Sequence, residues 1–328
     1  MRSVALRQQL QEAHRGDSAV KTYVPDYYPK FHCIAGKCRH SCCIGWEIDI
    51  DEDTYDLYQS IGGGFGRRLK NNIEPGDPPH FRLCEGERCP FLTSGGLCDI
   101  ILTLGEGALC QICDDHPRYR NYCSDRIEMG LGMCCEAAAK LILTRPGPMT
   151  LILREDDGEE ELPLSEEESG LLDTRDTLMK ILWDSGIPFE ERLDRILDQC
   201  GAHLPEKTLD EWIGLLKSLE CLDPGRNAML DTACGDGLPE EFAVPAAKLC
   251  ENFLYRHLPG ALDDGRSGER AAFAVLGTRV VSAMWAGILR TKGELTADDM
   301  AECARMYSSE YEYSEDNTET LLNLMETK

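Results

Sequence analysis

The sequence predicts an α+β protein, predominantly α-helical, with an irregular cysteine-rich N-terminal half around an iron–sulfur centre and a helical C-terminal half. Three observations carry this. Twelve of the seventeen cysteines fall between Cys33 and Cys135. The same region is rich in Gly, Pro and short motifs and has little periodicity. Beyond about residue 165, apolar residues recur at helical spacing in one segment after another. The change lies in LILTRPGPMTLILREDDGEE, which reads as a helix end, a Pro-Gly-Pro break, a short strand and an Asp-Gly turn. This gives a cysteine-rich metal- or cluster-binding domain over 1–145 and a mainly helical domain over 146–328.

In the first part, GWEIDID alternates like a strand. DEDTYDLYQSIGGG then starts with acidic caps and reads as a helix, with Gly62-Gly63-Gly64 as its stop. CCEAAAKLIL begins another helix, with Cys134 near its N-terminus, a position that favours a thiolate. In the second part, Ser165 and Glu168 form a capping box ahead of a helix carrying Leu171, Leu172, Leu178, Ile181 and Leu182. FEERLDRILDQC, LDEWIGLLKSLECL, PEEFAVPAAKLCENFLYRHL, the segment 269–290, ADDMAECARMY and SEDNTETLLNLM follow the same pattern.

The chain begins MRSVALRQQLQEAHRGDS, charged throughout and without the apolar stretch of a secretion signal. AAFAVLGTRVVSAMWAGIL comes nearest to a membrane span, but Arg279 interrupts it. The expectation is a cytoplasmic protein with no transmembrane segment. Net charge is −25, divided as −4 over residues 1–140 and −21 over 141–328. Such a surface repels phosphates, which argues against nucleic acid, and attracts a lysine-bearing partner. It also serves solubility alone.

Disulfides are disfavoured in a reducing compartment, so the cysteines read as ligands. They form four sets. The first is Cys33, Cys38, Cys42 and Cys43; the second is Cys84, Cys89 and Cys98; the third is Cys110 and Cys113; the last is Cys123, Cys134 and Cys135. Thiolates suit iron–sulfur clusters, zinc or copper(I). Structural zinc favours two paired knuckles, and only Cys110-x2-Cys113 is a clean one. Irregular spacing and separate loops favour iron–sulfur, with zinc as the alternative. Adjacent sulfurs at Cys42-Cys43 either face different centres, or one faces a cluster while the other packs. The five cysteines from Cys200 onward read as small buried hydrophobes. His32, His40, His80 and His116 read as polar neighbours. No nucleotide loop and no Cys-x3-Cys-x2-Cys signature of radical enzymes occurs.

VPDYYPKFHCIAGKCRHSCCIGWEIDID, CPFLTSGGLCDI, LGEGALCQICDDHPR and MGLGMCCEAAAKLIL, in that order, resemble the flagellin lysine-N-methylase family, part of a group named for a Cys-x2-Cys-x2-Cys-Cys cluster. ENFLYRHL and YSSEYEYSEDNTETLLNLM resemble its later motifs. The resemblance implies an S-adenosylmethionine-dependent methyltransferase with a [4Fe-4S] cluster, acting on flagellin lysines. It carries over ligands to Cys33, Cys38, Cys42, Cys43, Cys89, Cys98, Cys110, Cys113 and Cys134. Cys135 stands where the family usually has Pro, and the first motif is wider than the group's name.

The chemistry needs a neutral amine, so either a carboxylate or Tyr takes its proton or desolvation lowers its pKa. No single residue is singled out as that base. Tyr23, Tyr27, Tyr28 and Trp46 either line an aromatic channel for the cation or pack around the cluster. The competing readings are a non-catalytic zinc- or iron-binding module and an iron–sulfur redox protein.

Overall fold

The computed structural model describes residues 21–156 and 162–327. The segment read for a secretion signal and the Asp157-Gly158 turn lie outside the described residues.

The fold is α+β and mostly helical. Four strands form its main sheet: Lys21–Pro25, Arg118–Cys123, Arg126–Leu131 and Leu151–Glu155. We call these β1, β2, β3 and β4. Their order across the sheet is β2-β3-β1-β4. β2 and β3 form a tight antiparallel hairpin whose register runs from Arg118↔Leu131 to Cys123↔Arg126. β1 pairs parallel with β3 and antiparallel with β4. This arrangement was not read from the sequence, because only β4 shows as a short strand there.

Helices cover the sheet and extend beyond it. Glu166–Leu182 starts on the expected capping box, with the Glu168 amide donating to Ser165 Oγ at 3.1 Å. The same Glu168 accepts from the Ser124 amide at 2.7 Å, so it also grips the hairpin turn. Phe189–Gln199, Leu209–Ser218, Ala243–His257, Ala297–Tyr311 and Glu315–Leu322 form where periodicity placed helices. The 26-residue helix Ser267–Lys292 runs through their middle. By length and composition it is apolar enough to cross a membrane, and 83% of its apolar window is buried in the protein, as in a core helix.

Two hydrophobic cores result. The larger gathers Val24, Tyr27 and Tyr28, the end of β3, the helix Glu136–Thr144 and the later helices. The smaller lies within residues 48–110 and is built from Ile48, Ile50, Tyr58, Leu69, Phe81, Phe91, Ile100 and neighbouring cysteines.

Two sequence readings change here. GWEIDID does alternate, burying Ile48 and Ile50, but it pairs only briefly, at Asp49↔His80, with the Ile50 amide donating to Pro79 O and the Phe81 amide to Ile48 O, because the strand beside it, His80–Phe81, is only two residues long. The glycine triplet does more than stop a helix. Glu52–Ser60 ends before it, and Gly63–Asn71 begins within it.

Two buried ion pairs tie the layers together. Arg175 on Glu166–Leu182 reaches Glu128 of β3 with two bonds of 2.5 and 2.9 Å. Arg145 meets Glu251, which also accepts from Trp183 Nε1 at 2.8 Å. Removing one partner of such a pair strands the other charge in the interior.

Glycines set the closest helix approach. A Cβ on Gly277 would stand 2.9 Å from both Phe253 and Tyr307, and one on Gly287 would overlap the Thr232 carbonyl. Gly287→Ala is expected to lose about 1–3 kcal/mol of stability. Gly170→Ala, on an open helix surface, should gain roughly 0.5–1 kcal/mol. Denaturant midpoints measure both, and equal effects would refute the packing argument.

Candidate metal centre

The cysteine arm Cys33–Cys43 has no ladder of its own and is held by side chains from elsewhere. Glu136, in the first turn of Glu136–Thr144, accepts from the Arg39 amide and Nε, both at 3.0 Å. Its Oε2 also lies 3.8 Å from Cys38 Sγ. His40 Nε2 lies 3.0 Å from Glu302 on Ala297–Tyr311. At the other end, the Cys89 amide donates to the Cys43 carbonyl at 2.8 Å, and Trp46 Nε1 donates to the Cys42 carbonyl at 2.6 Å.

All seventeen cysteines are unpaired, and most of the N-terminal ones gather in two groups. Cys43, Cys89, Cys98, Cys110 and Cys113 share the smaller core, Cys89 and Cys110 within it and the other three packed against it. The Tyr58 hydroxyl donates to Ala108 O at 2.7 Å and lies 3.8 Å from Cys110 Sγ. Burial pushes the Cys89 thiol up to about 12, with Cys43, Cys98 and Cys110 adding to the rise. Burial raises Cys98 too, while the N–H groups of Ile101 and Ile100 at the start of Asp99–Leu104 pull the other way. A hydrogen bond from Cys113 lowers Cys110 and raises Cys113. A hydrogen bond from Cys42 lowers Cys43, to about 7.

The second group is Cys33, Cys38, Cys42 and Cys135. Burial, His40, Glu136, Cys135 and Cys33 all act on Cys38. Cys42 feels Cys43 first and then Cys33 and Cys135. Cys135 is the N-cap of Glu136–Thr144, and the backbone N–H groups of Ala138 and Ala137 face its thiol.

Cys134 turns away from both groups, toward Tyr313 and Arg256. Desolvation pushes its thiol up to about 12 rather than down, against the thiolate expected at this helix end. Burial, which strips water from the sulfur, outweighs the helix field there. Cys84 is exposed in a turn, and Cys123 is buried on β2. Cys234, Cys250 and Cys303 are buried among the helices, Cys200 is half-buried and Cys221 is exposed.

Among the described residues, no three His, Cys, Asp or Glu side chains close around a point that would hold one metal ion. The donor set is nonetheless soft and all thiol. A cluster of several irons bridged by sulfide spreads its thiolates over more than one metal atom, and the first group's chemistry fits it.

Behind Cys134 lies a polar chamber, buried at His257 and Glu312 and open to solvent at Tyr313. Arg256 packs over the rings of Tyr313, at 4.0 Å, and Tyr119, at 5.1 Å. His257 Nε2 is 2.6 Å from Glu312 Oε1. Tyr119 OH, Arg256 Nη1 and Glu312 Oε2 are buried without a hydrogen-bond partner. Gly130 and Gly132 make room, since a Cβ on either would overlap Tyr119 or Tyr313. Burial pushes His116 down to about 4, and its ring lies 6.3 Å from that of Trp46.

The tyrosines offered as a channel do not form one. Tyr23, Tyr27 and Tyr28 each already carry an arginine at 5.3 Å, from Arg126, Arg145 and Arg154.

Lysine-N-methylase of Salmonella typhimurium strain LT2 is 28% identical over 137 residues, which cover 39% of this chain and 33% of that protein. Flagellar biosynthetic protein FliU of Salmonella muenchen is 28% identical over 137 residues, covering 39% of this chain and 79% of its own length. The chain is a distant relative of these proteins. It spans about a third of the length of the lysine-N-methylase it matches. No family model and no solved structure matches the chain.

Sequence reasoning placed Cys134 in the ligand set and left Cys135 open; in the structure Tyr313 and Arg256 act on the Cys134 thiol, and Cys33 acts on that of Cys135. It also missed the chamber, whose residues come from four separate segments, around Tyr119, Gly132, Arg256 and Glu312.

The chamber gives an acid-side test. Burial works against the Glu312 carboxylate, but Arg256 and His257 hold its pKa below the ordinary value. Its stabilisation is therefore full above the unfolded carboxylate pKa and is lost as pH falls through the lower folded value. His257, pushed down mainly by burial, is protonated more readily when unfolded and adds to the loss as pH falls. Glu312→Gln should cost about 3–5 kcal/mol at pH 7. It should also flatten the fall in stability below about pH 4.5. Chemical denaturation across pH measures both, and a variant tracking the parent at every pH refutes the assignment.

Proposed function

We propose that this chain is an S-adenosylmethionine-dependent protein lysine N-methyltransferase that carries a [4Fe-4S] cluster and acts on flagellin in the cytoplasm. The observation that carries the reading is the gathering of Cys43, Cys89, Cys98, Cys110 and Cys113 at the smaller core, in a chain distantly related to proteins named lysine-N-methylase. In this reading these thiols hold the cluster, with Cys33, Cys38, Cys42 and Cys135 beside them. When bound, such a cluster supplies an iron site able to take the amino and carboxylate groups of the cofactor.

The chain's own residues do the rest. Tyr58, fixed by Ala108 O, meets Cys110 and orients that ligand. Burial around Cys89 and Cys110, both fully inside the smaller core, excludes water from the thiols. A lysine amine brought into a site this dry loses part of its proton affinity, which favours the neutral form that attacks a methyl group. The net charge of −25 favours approach of a lysine-bearing substrate.

The test is transfer of a labelled methyl group from S-adenosylmethionine to flagellin lysines by protein purified without oxygen. Label on the lysine amine is expected. Cys113→Ala and Cys98→Ala should each lower the visible absorption and cut transfer more than about tenfold. Cys221→Ala, at an exposed site outside both groups, should leave both unchanged. A colourless protein holding one zinc per chain would favour the structural zinc module instead. No transfer from a protein with its cluster intact would point to the redox reading.

A further inference from the structure

β4 is the outer strand of the main sheet, and among the described residues it pairs on one side only, with β1. Just before the strand, the Asp26 amide donates to Thr150 O at 2.8 Å. Antiparallel pairing alternates, so Ile152 turns its backbone groups toward β1, while Leu151 and Leu153 turn theirs outward. Outward N–H and C=O groups of this kind are a template for another strand.

Such edges are usually blunted by Lys, Pro or inward-pointing charges. Here the strand reads LILRE, and Ile152 and Leu153 are 39% and 47% exposed. The shift in register with β1 falls after Leu153, opposite Thr22 and Tyr23, so the apolar stretch itself is regular.

Beside the strand, a cleft of about 410 Å³ opens against the helix Glu166–Leu182. Met149, Leu151, Met179 and Trp183 form its apolar wall, and Asp176 and Glu251 also line it. Methionine adapts to side chains of varied shape. Glu251 is already engaged by Arg145 and Trp183, whereas Asp176 is exposed. A strand added to β4 sends alternate side chains to one face. A long aliphatic chain ending in an amine would meet both the apolar wall and a carboxylate there.

Charge selects the partner. Between Leu151 and Lys180 the chain carries eleven carboxylates against three cations, Arg154, Arg175 and Lys180. Arg175 is committed to Glu128, and Arg154 Nη1 donates to the Tyr28 hydroxyl at 3.0 Å. Two copies of so acidic an edge repel each other, whereas a lysine-bearing segment is drawn in.

We propose that the free edge of β4 and the adjoining cleft dock the protein substrate, taking up an extended, lysine-bearing segment as a fifth strand of the sheet. This rests on the reading of the chain as a protein lysine methyltransferase. Backbone pairing supplies the affinity, and the cleft and its carboxylates favour apolar and basic side chains over acidic ones.

Flagellin is the probe. Hydrogen exchange of the full chain, with its cluster, is followed at single residues with and without flagellin. The Leu151 and Leu153 amides should exchange fast in the free protein and at least about tenfold more slowly with flagellin. Leu153→Lys puts a cation on the edge, and Leu153→Pro removes an outward N–H without breaking a bond to β1. Each should raise KM for flagellin about tenfold and leave kcat unchanged. Leu222→Lys, at an exposed position elsewhere, should change neither.

Slow exchange at both amides in the free monomer means that the chain's own residues cover the edge, and overturns the proposal. Protection that grows with protein concentration alone identifies a second copy, and overturns it too. An unchanged KM in both Leu153 variants removes the docking role and leaves the methyltransferase reading standing. A parent that transfers no methyl group defeats that underlying reading, and protection of the edge by flagellin still decides the docking.

Discussion

The structure turns on how the loops between Cys33 and Cys113 are held in place. They have only the two-residue pairing of Ile73–Glu74 with His80–Phe81, a few isolated bridges and short helices. Their own core is small. Phe81 and Phe91 pack at 5.1 Å between centroids, Tyr58 stacks on Phe81 at 6.0 Å, and cysteines fill much of the remaining wall. A core of this size contributes little stability by itself. Bringing several thiols together there has no packing advantage over aliphatic side chains, but a shared soft ligand would cross-link three arms of the loop region at once. In the reading proposed above, the local architecture is a holder for such a ligand.

The second dependence is between the loops and the helices. Glu136 and Glu302 reach from two packed helices to Arg39 and His40, so the first cysteine arm takes its position from the helical layer. That layer is itself locked to the sheet by Arg175–Glu128, and three of its helices are tied to one another by the Arg145–Glu251–Trp183 cluster. Paired charges of this kind contribute little net stability, but they penalise any arrangement that leaves one unpaired. They therefore fix the register between sheet and helices, which the apolar contacts alone would leave looser. The strongly acidic half of the chain uses several of its carboxylates in this way, at Glu251, Glu302, Glu310 and Glu312.

The helices were legible because their signals are local. The Ser165–Glu168 box and the spacing around Leu178 and Leu182 need no knowledge of the rest of the chain. The boxes at Thr208–Glu211 and Thr296–Asp299 carry the same signal and passed unremarked. The sheet was not legible, because β1 finds its partners about a hundred residues away, at β3 in parallel and at β4. GWEIDID shows the converse, since alternation reports which side chains are buried but not how long the neighbouring strand is, here only His80–Phe81. The different surroundings of Cys134 and Cys135 are beyond sequence for a similar reason. They flank the start of one helix, and a single step in phase there sends one thiol to the cysteine arm and the other to Arg256.

The chamber shows what the scattered motifs have in common. MGLGMCC supplies the gap at Gly132, ENFLYRHL supplies Arg256 and His257, and YSSEYEYSED supplies Glu312 and Tyr313. Read along the chain, these are three weak and unrelated signals. In space, the Tyr313 hydroxyl and the Arg256 guanidinium occupy the space that a side chain at position 132 would take, and they meet the Cys134 thiol there. A larger residue at 132 would push both away and separate the cysteine region from the helices behind it. The glycine, the arginine and the tyrosine are thus one complementary contact, and each of the three residues is constrained by the other two.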